Sequence, residues 1–244
     1  MMRVDEQRRG WRTLPLGSLD VVIGPGCGLI LAPHPDDESL GCGGMIAACR
    51  EAGRPPIVAI LTDGGMSHPG SKKFSREQLI RLREAEARDA ASVLGLSQDR
   101  LVFLRQPDTK APRAGDAFNR VVEHLVWLAD RCGCSSILAP WRFDPHCDHE
   151  AASSIAVEAA KMPRIRHIAF PVWGWTLPSD HVIDAETPIG WRLDIAEHLA
   201  RKTMAIAAYR SQYGALITDD PSGFRLPPNL LRAFAGRFET FLLP

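Results

Sequence analysis

Short apolar runs that alternate with longer stretches of helical spacing limit this chain to few folds. Leu29 to Ala32, Ile57 to Leu61, Leu101 to Leu104, Ile137 to Ala139 and Ile168 to Val172 read as strands. Between them, Leu40 to Ala52, Arg76 to Leu94, Ala117 to Arg131 and His149 to Lys161 read as helices. In the second of these helices Leu79, Leu82, Ala85, Ala90, Val93 and Leu94 fall near a 3.6-residue repeat, and Gly95 follows as the cap. Each strand has time to be covered by a helix before the next begins. That alternation predicts an α/β fold, a Rossmann-like three-layer sandwich with a mostly parallel central sheet, helices on both faces and right-handed crossovers. Past Trp173 the pattern weakens, and one or two extra strands, a helix near Ile195 to Tyr209 and a last short helix from Asn229 are expected. No repeat or linker divides the 244 residues, so one domain is expected, with residues 1–27 as an N-terminal arm and 173–244 as an extension that shapes a cleft.

In open parallel sheets, ligands bind beyond the carboxyl ends of the strands. Four segments fall there: His34 to Glu38, Thr62 to Gly65, Arg105 to Asp108 and Pro140 to His149. The first is His-Pro-Asp-Asp-Glu, three adjacent acids that repel one another unless something positive sits among them. The fourth holds His146, Asp148 and His149 within four positions. A divalent cation accounts for both clusters, since mixed imidazole and carboxylate donors suit zinc, with iron, cobalt or manganese also compatible. Spacing alone does not select the ligands. His34 and Asp37 are three apart, as are His146 and His149, and Cys147 offers a thiolate. Gly41-Cys42-Gly43-Gly44 opens a helix after a strand, but its spacing fits no phosphate-binding fingerprint, and close helix–sheet packing is the better reading.

Charge excludes one class of partner. The 29 basic and 29 acidic side chains cancel, whereas nucleic-acid binding calls for a basic face. The six cysteines form no C-x-x-C pair, which predicts reduced thiols and a cytoplasmic protein. Residues 1–27 lack the apolar core of a signal peptide, and no run approaches the roughly 18 apolar residues of a membrane span.

PHPDDESLGCGG resembles the [A/P]-H-P-D-D-E signature of the LmbE-like, or PIG-L, family of zinc-dependent N-deacetylases, and HCDH resembles that family's H-x-D-H signature. Between them REAEARDAASVLG (83–95) and FLRQPD (103–108) are similar to the family's helix and following strand. The resemblance runs from about Gly28 to Met162 and returns weakly at Lys202 to Gln212. It implies one Zn2+ per chain, with Fe2+, Co2+ or Mn2+ as substitutes, held by His34, Asp37 and His149. Asp36 would be the general base, His146 would stabilise the oxyanion and protonate the leaving amine, and Asp148 would orient that imidazole. The implied reaction removes an N-acyl group, most often acetyl, from an amino sugar or an N-acetylglucosaminyl glycoconjugate by metal-activated water. Asp108 and Arg142, on the expected rim, would bind sugar hydroxyls, and Arg83 matches a family position near the ligand. Glu38 has no step and would hold the loop together. Trp173 and Trp175 offer a stacking platform, although core or oligomer contact is the plainer reading. The chain departs from the family at Cys147, where proline is common. The family often forms oligomers, and a homo-oligomer is compatible with this chain. Two alternatives stand beside deacetylation: amidase action on thiol-sugar conjugates, and a non-catalytic nucleotide- or ligand-binding protein on the same sheet.

Overall fold

A computed structural model describes residues 1–214 and 216–244. The chain begins with β1 (Met2–Arg3), α1 (Val4–Thr13), α2 (Leu19–Ile23), β2 (Cys27–Ala32), α3 (Asp37–Glu51) and β3 (Ile57–Thr62). It continues through α4 (Arg76–Val93), β4 (Leu101–Gln106), α5 (Gly115–Arg131), β5 (Cys134–Pro140), α6 (Cys147–Ala159) and β6 (Arg166–Phe170). The last third holds β7 (Val182–Ile183), β8 (Ile189–Asp194), α7 (Leu199–Ala208), α8 (Arg210–Tyr213), α9 (Pro228–Phe234) and β9 (Phe238–Leu243). The α/β alternation and the mostly parallel sheet are as the sequence predicts.

The main sheet runs β4-β3-β2-β5-β6-β9-β8. Its first five strands are parallel, and β9 lies antiparallel to both β6 and β8. Every residue of β2 and β3 is buried, because helices cover both faces and leave no solvent side for alternation. The period of two still sorts side chains between the two cores. Ile30, Ala32, Val58 and Ile60 pack with α3, α4 and α7. Leu29, Leu31, Ala59 and Leu61 pack with α5 and α6 on the other face. The chain leaves β2 toward β3 on one side and returns to β5 on the other, so the β2/β5 boundary is the topological switch point. A crevice opens there at the strand ends.

Two helices start earlier than periodicity suggests. α3 begins at Asp37 and α6 at Cys147, which places the acids and His149 in first helical turns. The glycine run is a packing device. A Cβ at Gly41 would lie 2.3 Å from Phe170 Cδ2, and one at Gly44 would lie 2.6 Å from Ile195 side-chain atoms. The helix therefore sits against its neighbours with no room for a phosphate. A buried ion pair locks it further: Lys202 Nζ lies 2.8 Å from Glu239 Oε1, and Glu239 also accepts the N–H groups of Gly44 and Met45. The N-terminal arm is helical, with Val4, Gln7 and Trp11 on the buried side of α1. Among the described residues no helix is long and apolar enough to cross a membrane.

Candidate metal centre and catalytic pocket

His34 follows β2, and Asp37 opens α3 three residues later. His146 caps α6 and His149 lies in its first turn. The switch point thus brings both signatures together. Asp37 Oδ2 lies 3.2 Å from His34 Nδ1 and 3.3 Å from His149 Nε2. Two donors about 2.0–2.1 Å from one ion at a tetrahedral angle are about 3.3 Å apart. His149 is fully buried, and its Nε2 has no hydrogen-bond partner. Its Nδ1 lies 3.1 Å from Asp144 Oδ2, an acceptor, so Nδ1 carries the proton and Nε2 offers a lone pair. One nitrogen each of His34, His146 and His149 lies within 4.8 Å of the others. An orphaned buried acceptor beside a carboxylate and a second imidazole fits a divalent cation, which His34, Asp37, His146 and His149 are placed to hold between them.

Charge balance supports that fit. Burial opposes a charged His34, but Asp108, Asp148 and Asp37 overcome it and hold its pKa well above the ordinary value. Burial likewise opposes a charged His149, and the Asp37 charge and the Asp144 hydrogen bond raise it to about 9. Asp37 is itself held far below the usual carboxylate range against its burial, chiefly by His149 and His34. The cluster thus favours positive charge, which a bound cation would supply in place of imidazole protons.

Asp36 stands on the other side of the turn. Burial pushes it up to about 8, with Arg83 opposing and Asp37 adding to the rise. Arg83 Nη2 donates to Asp36 Oδ2 at 3.2 Å and to the Pro35 carbonyl at 2.5 Å, while its Nε is buried without a partner. Arg83 therefore touches the carboxylate of Asp36 as well as lining the pocket. Asp36 has φ 134°, a region non-glycine residues avoid at about 1–3 kcal/mol. Glu38 holds this turn: its Oε2 accepts the Asp36 N–H at 3.1 Å, and its Oε1 accepts the hydroxyls of Ser39 and Tyr209 at 2.5 Å each.

His146 Nδ1 accepts the Asp148 N–H at 3.2 Å, leaving Nε2 as the protonated nitrogen of the neutral ring. Burial, and then the charges of His34 and His149, push His146 down to about 4. At neutral pH it is an uncharged donor. Asp148 requires a correction, because its carboxylate does not orient His146. Oδ2 lies 3.0 Å from His34 Nε2 and accepts the Thr109 N–H, and Oδ1 accepts the Ala111 N–H. These bonds hold Asp148 down to about 2 against its burial. Asp108 also meets His34 Nε2, at 3.3 Å, while its other oxygen accepts the Met66 N–H.

The pocket has a volume of about 140 Å3, and His34, Asp36, Asp37, Arg83, Asp108, Thr109 and His146 line its polar side. Its apolar wall is Leu40, Met66, Trp173, Phe224 and Leu226. Arg142 is a second correction. It is exposed, stacks over Phe143 at 4.4 Å and lines a separate cavity of about 680 Å3. The neighbouring Trp141 is buried against Trp11 and lines the same separate cavity. The two tryptophans also part: Trp173 faces the pocket against Phe224, and Trp175 packs on Trp11 at 4.9 Å. Cys147 is exposed, with its thiol toward the Thr109 carbonyl.

Asp144, Phe224 and Leu226 escaped the sequence reading. Asp144 left a weak signal, an acid two positions before the first histidine of the second cluster. The other two left none, since the segment carrying them is fastened from afar. Asp219 accepts the Lys72 and Lys73 N–H groups, Asp220 accepts that of Gly70, and the Phe224 N–H meets the Ser67 carbonyl.

Known proteins resemble this chain in sequence and in fold. A probable N-acetyl-alpha-D-glucosaminyl L-malate deacetylase 2 of Bacillus anthracis is 27% identical over 78% of this chain and 83% of its own length. The diacetylchitobiose deacetylase of Thermococcus kodakarensis is 30% identical, over 54% of this chain and 48% of its own. The structure of N,N'-diacetylchitobiose deacetylase from Pyrococcus horikoshii superimposes with a TM-score of 0.64, covering 89% of this chain and 83% of that one at 22% identity, which establishes a shared fold. Residues 29–160, more than half of the chain and both signatures with it, match the family model described as PIG-L, GlcNAc-PI de-N-acetylase, and the chain belongs to that family.

Proposed function

We propose that this chain is a zinc-dependent hydrolase that removes the N-acetyl group from an amino sugar or an N-acetylglucosaminyl glycoconjugate. The observation that carries this reading is Asp37 Oδ2 at 3.2 and 3.3 Å from His34 Nδ1 and His149 Nε2, with Asp36 as the next residue. The deacetylase names of its relatives supply the substrate class. When bound, the cation supplies Lewis acidity and lowers the pKa of the attacking water. Asp36 takes that proton. Burial has already brought its carboxylate near neutral pKa, where a general base is most effective, and Arg83 fixes its direction. His146 Nε2–H donates to the oxygen on which charge develops, and a lost donor of this kind costs about 10²–10³ in rate. The proton held by Asp36 or His146 then passes to the leaving amine. Trp173 and Phe224 give the sugar an apolar face, and the spare donors of Arg83 meet its hydroxyls. The six cysteines form no C-x-x-C pair, and on that usage we assign the chain to the cytoplasm.

The purified chain should carry about one zinc and release acetate from N-acetylated sugars, free or conjugated. Asp36→Ala should keep the metal and lose about 10²–10⁴ in rate. Thiol-sugar amides in the same screen test amidase action. Near-normal turnover by Asp36→Ala, or a chain that neither takes up a divalent ion nor responds to a chelator, overturns the assignment.

A further inference from the structure

We propose that Asp144 is a positioning residue that fixes His149 as a cation ligand and, through the same carboxylate, holds Trp173 on the pocket wall. This rests on the reading of His149 as a ligand. Asp144 is fully buried at the end of the β5 loop, and each of its oxygens is used. Oδ2 takes the His149 Nδ1–H at 3.1 Å, the Val172 N–H at 2.9 Å and the Trp173 N–H at 3.1 Å. Oδ1 takes the Gly174 N–H at 2.7 Å. Three successive backbone donors thus converge on the carboxylate that sets the tautomer of His149.

The turn is closely packed. Gly174 is wedged between tryptophans: a Cβ there would lie 2.8 Å from Trp11 and 2.9 Å from Trp141. Trp173 follows directly from the turn, meeting Phe224 at 5.6 Å between ring centroids. The donor that readies His149 and the donors that seat Trp173 therefore share one acceptor. A partner that holds the far nitrogen of a ligand histidine typically contributes 10–100-fold in metal affinity. Here the same group also governs the wall that meets the substrate.

An Asp144→Asn side chain offers only one oxygen, so its amide nitrogen must oppose at least one of the four donors. The test measures the zinc dissociation constant by competition with a chromophoric chelator, alongside KM and kcat at saturating zinc. Asp144→Asn should raise the zinc dissociation constant 10- to 100-fold. It should also raise KM several-fold with zinc saturating, a change that a loss confined to the metal would not produce. Zinc affinity within twofold of wild type in the folded variant overturns the proposal while leaving the deacetylase reading intact. A wild-type chain that binds no cation overturns both. Should the variant fail to fold, 15N-histidine NMR of the zinc-loaded wild type decides. His149 should show a protonated, slowly exchanging Nδ1, and metal on Nδ1 instead of Nε2 overturns the proposal.

Discussion

Raising the pH from 7 to 9 should tighten zinc binding by at least about fiftyfold. His149 is lifted from the ordinary 6.5 to about 9, first against its own burial and then by Asp37 and Asp144. It must lose a proton before Nε2 can take a cation. At pH 7 that competition weakens binding by about two powers of ten, and it disappears as the pH passes 9. His34 is also held well above its ordinary value, so its proton adds to the slope. The apparent affinity should rise by between about one and two log units per pH unit, with about one to two protons released per zinc near pH 7. Competition against a chelator at buffered free zinc gives the slope, and calorimetry in buffers of different ionisation heat gives the proton count. The metal-free chain should respond oppositely. A raised histidine stabilises the fold fully below pH 6.5 and loses that contribution as pH rises through about 9. The shift is worth on the order of 3 kcal/mol for this fully buried ring. Urea unfolding of chelator-treated protein should show that decline, and the zinc-loaded protein should not. A flat affinity profile, or proton release well below one, refutes the picture of imidazole protons filling an anionic site.

Three further outcomes follow from the packing. Lys202→Met strands the buried Glu239 carboxylate and should cost about 3–5 kcal/mol in urea unfolding, most of it recovered when Glu239→Gln is added. Gly41→Ala drives a methyl to 2.3 Å from Phe170 and should cost about 1–3 kcal/mol, an effect that Phe170→Leu relieves in a double-mutant cycle. Trp173→Ala should raise KM while leaving zinc affinity within twofold, separating the wall from the metal ligands that Asp144 joins to it.

The legible parts of the molecule are those where local pattern and fold coincide. Apolar runs located the strands, and a parallel sheet puts their carboxyl ends together whatever the details of packing. The two clusters, His34 to Glu38 and His146 to His149, could therefore be placed on one rim from sequence alone, while the choice of ligands within them came from the family resemblance. Direction was harder to read. Asp148 and His146 are near neighbours in sequence, but the first turn of α6 sends the Asp148 carboxylate to His34. Arg142 lies in the turn beyond the end of β5, stacked on Phe143 and pointing away from the pocket, and nothing in the sequence marks that turn. Long-range closure left no trace at all: Phe224 and Leu226 reach the pocket because Asp219 and Asp220 grip backbone N–H groups about 150 residues away, and no periodicity encodes that. The N-terminal helix was hidden for another reason. Its charged composition masks a buried face of only Val4, Gln7 and Trp11.

The three adjacent acids now have a physical account. An ordinary helix start would leave consecutive carboxylates about 100° apart around one turn, close enough to repel. Here Asp36 adopts φ 134° and gives its oxygen to Arg83, Asp37 turns to His34 and His149, and Glu38 bonds Ser39 and Tyr209. Each carboxyl group has its own partners, and the strained residue is the one that parts them. Backbone strain of about 1–3 kcal/mol is the cost of setting a base beside a ligand without letting the two carboxylates share one proton or one cation.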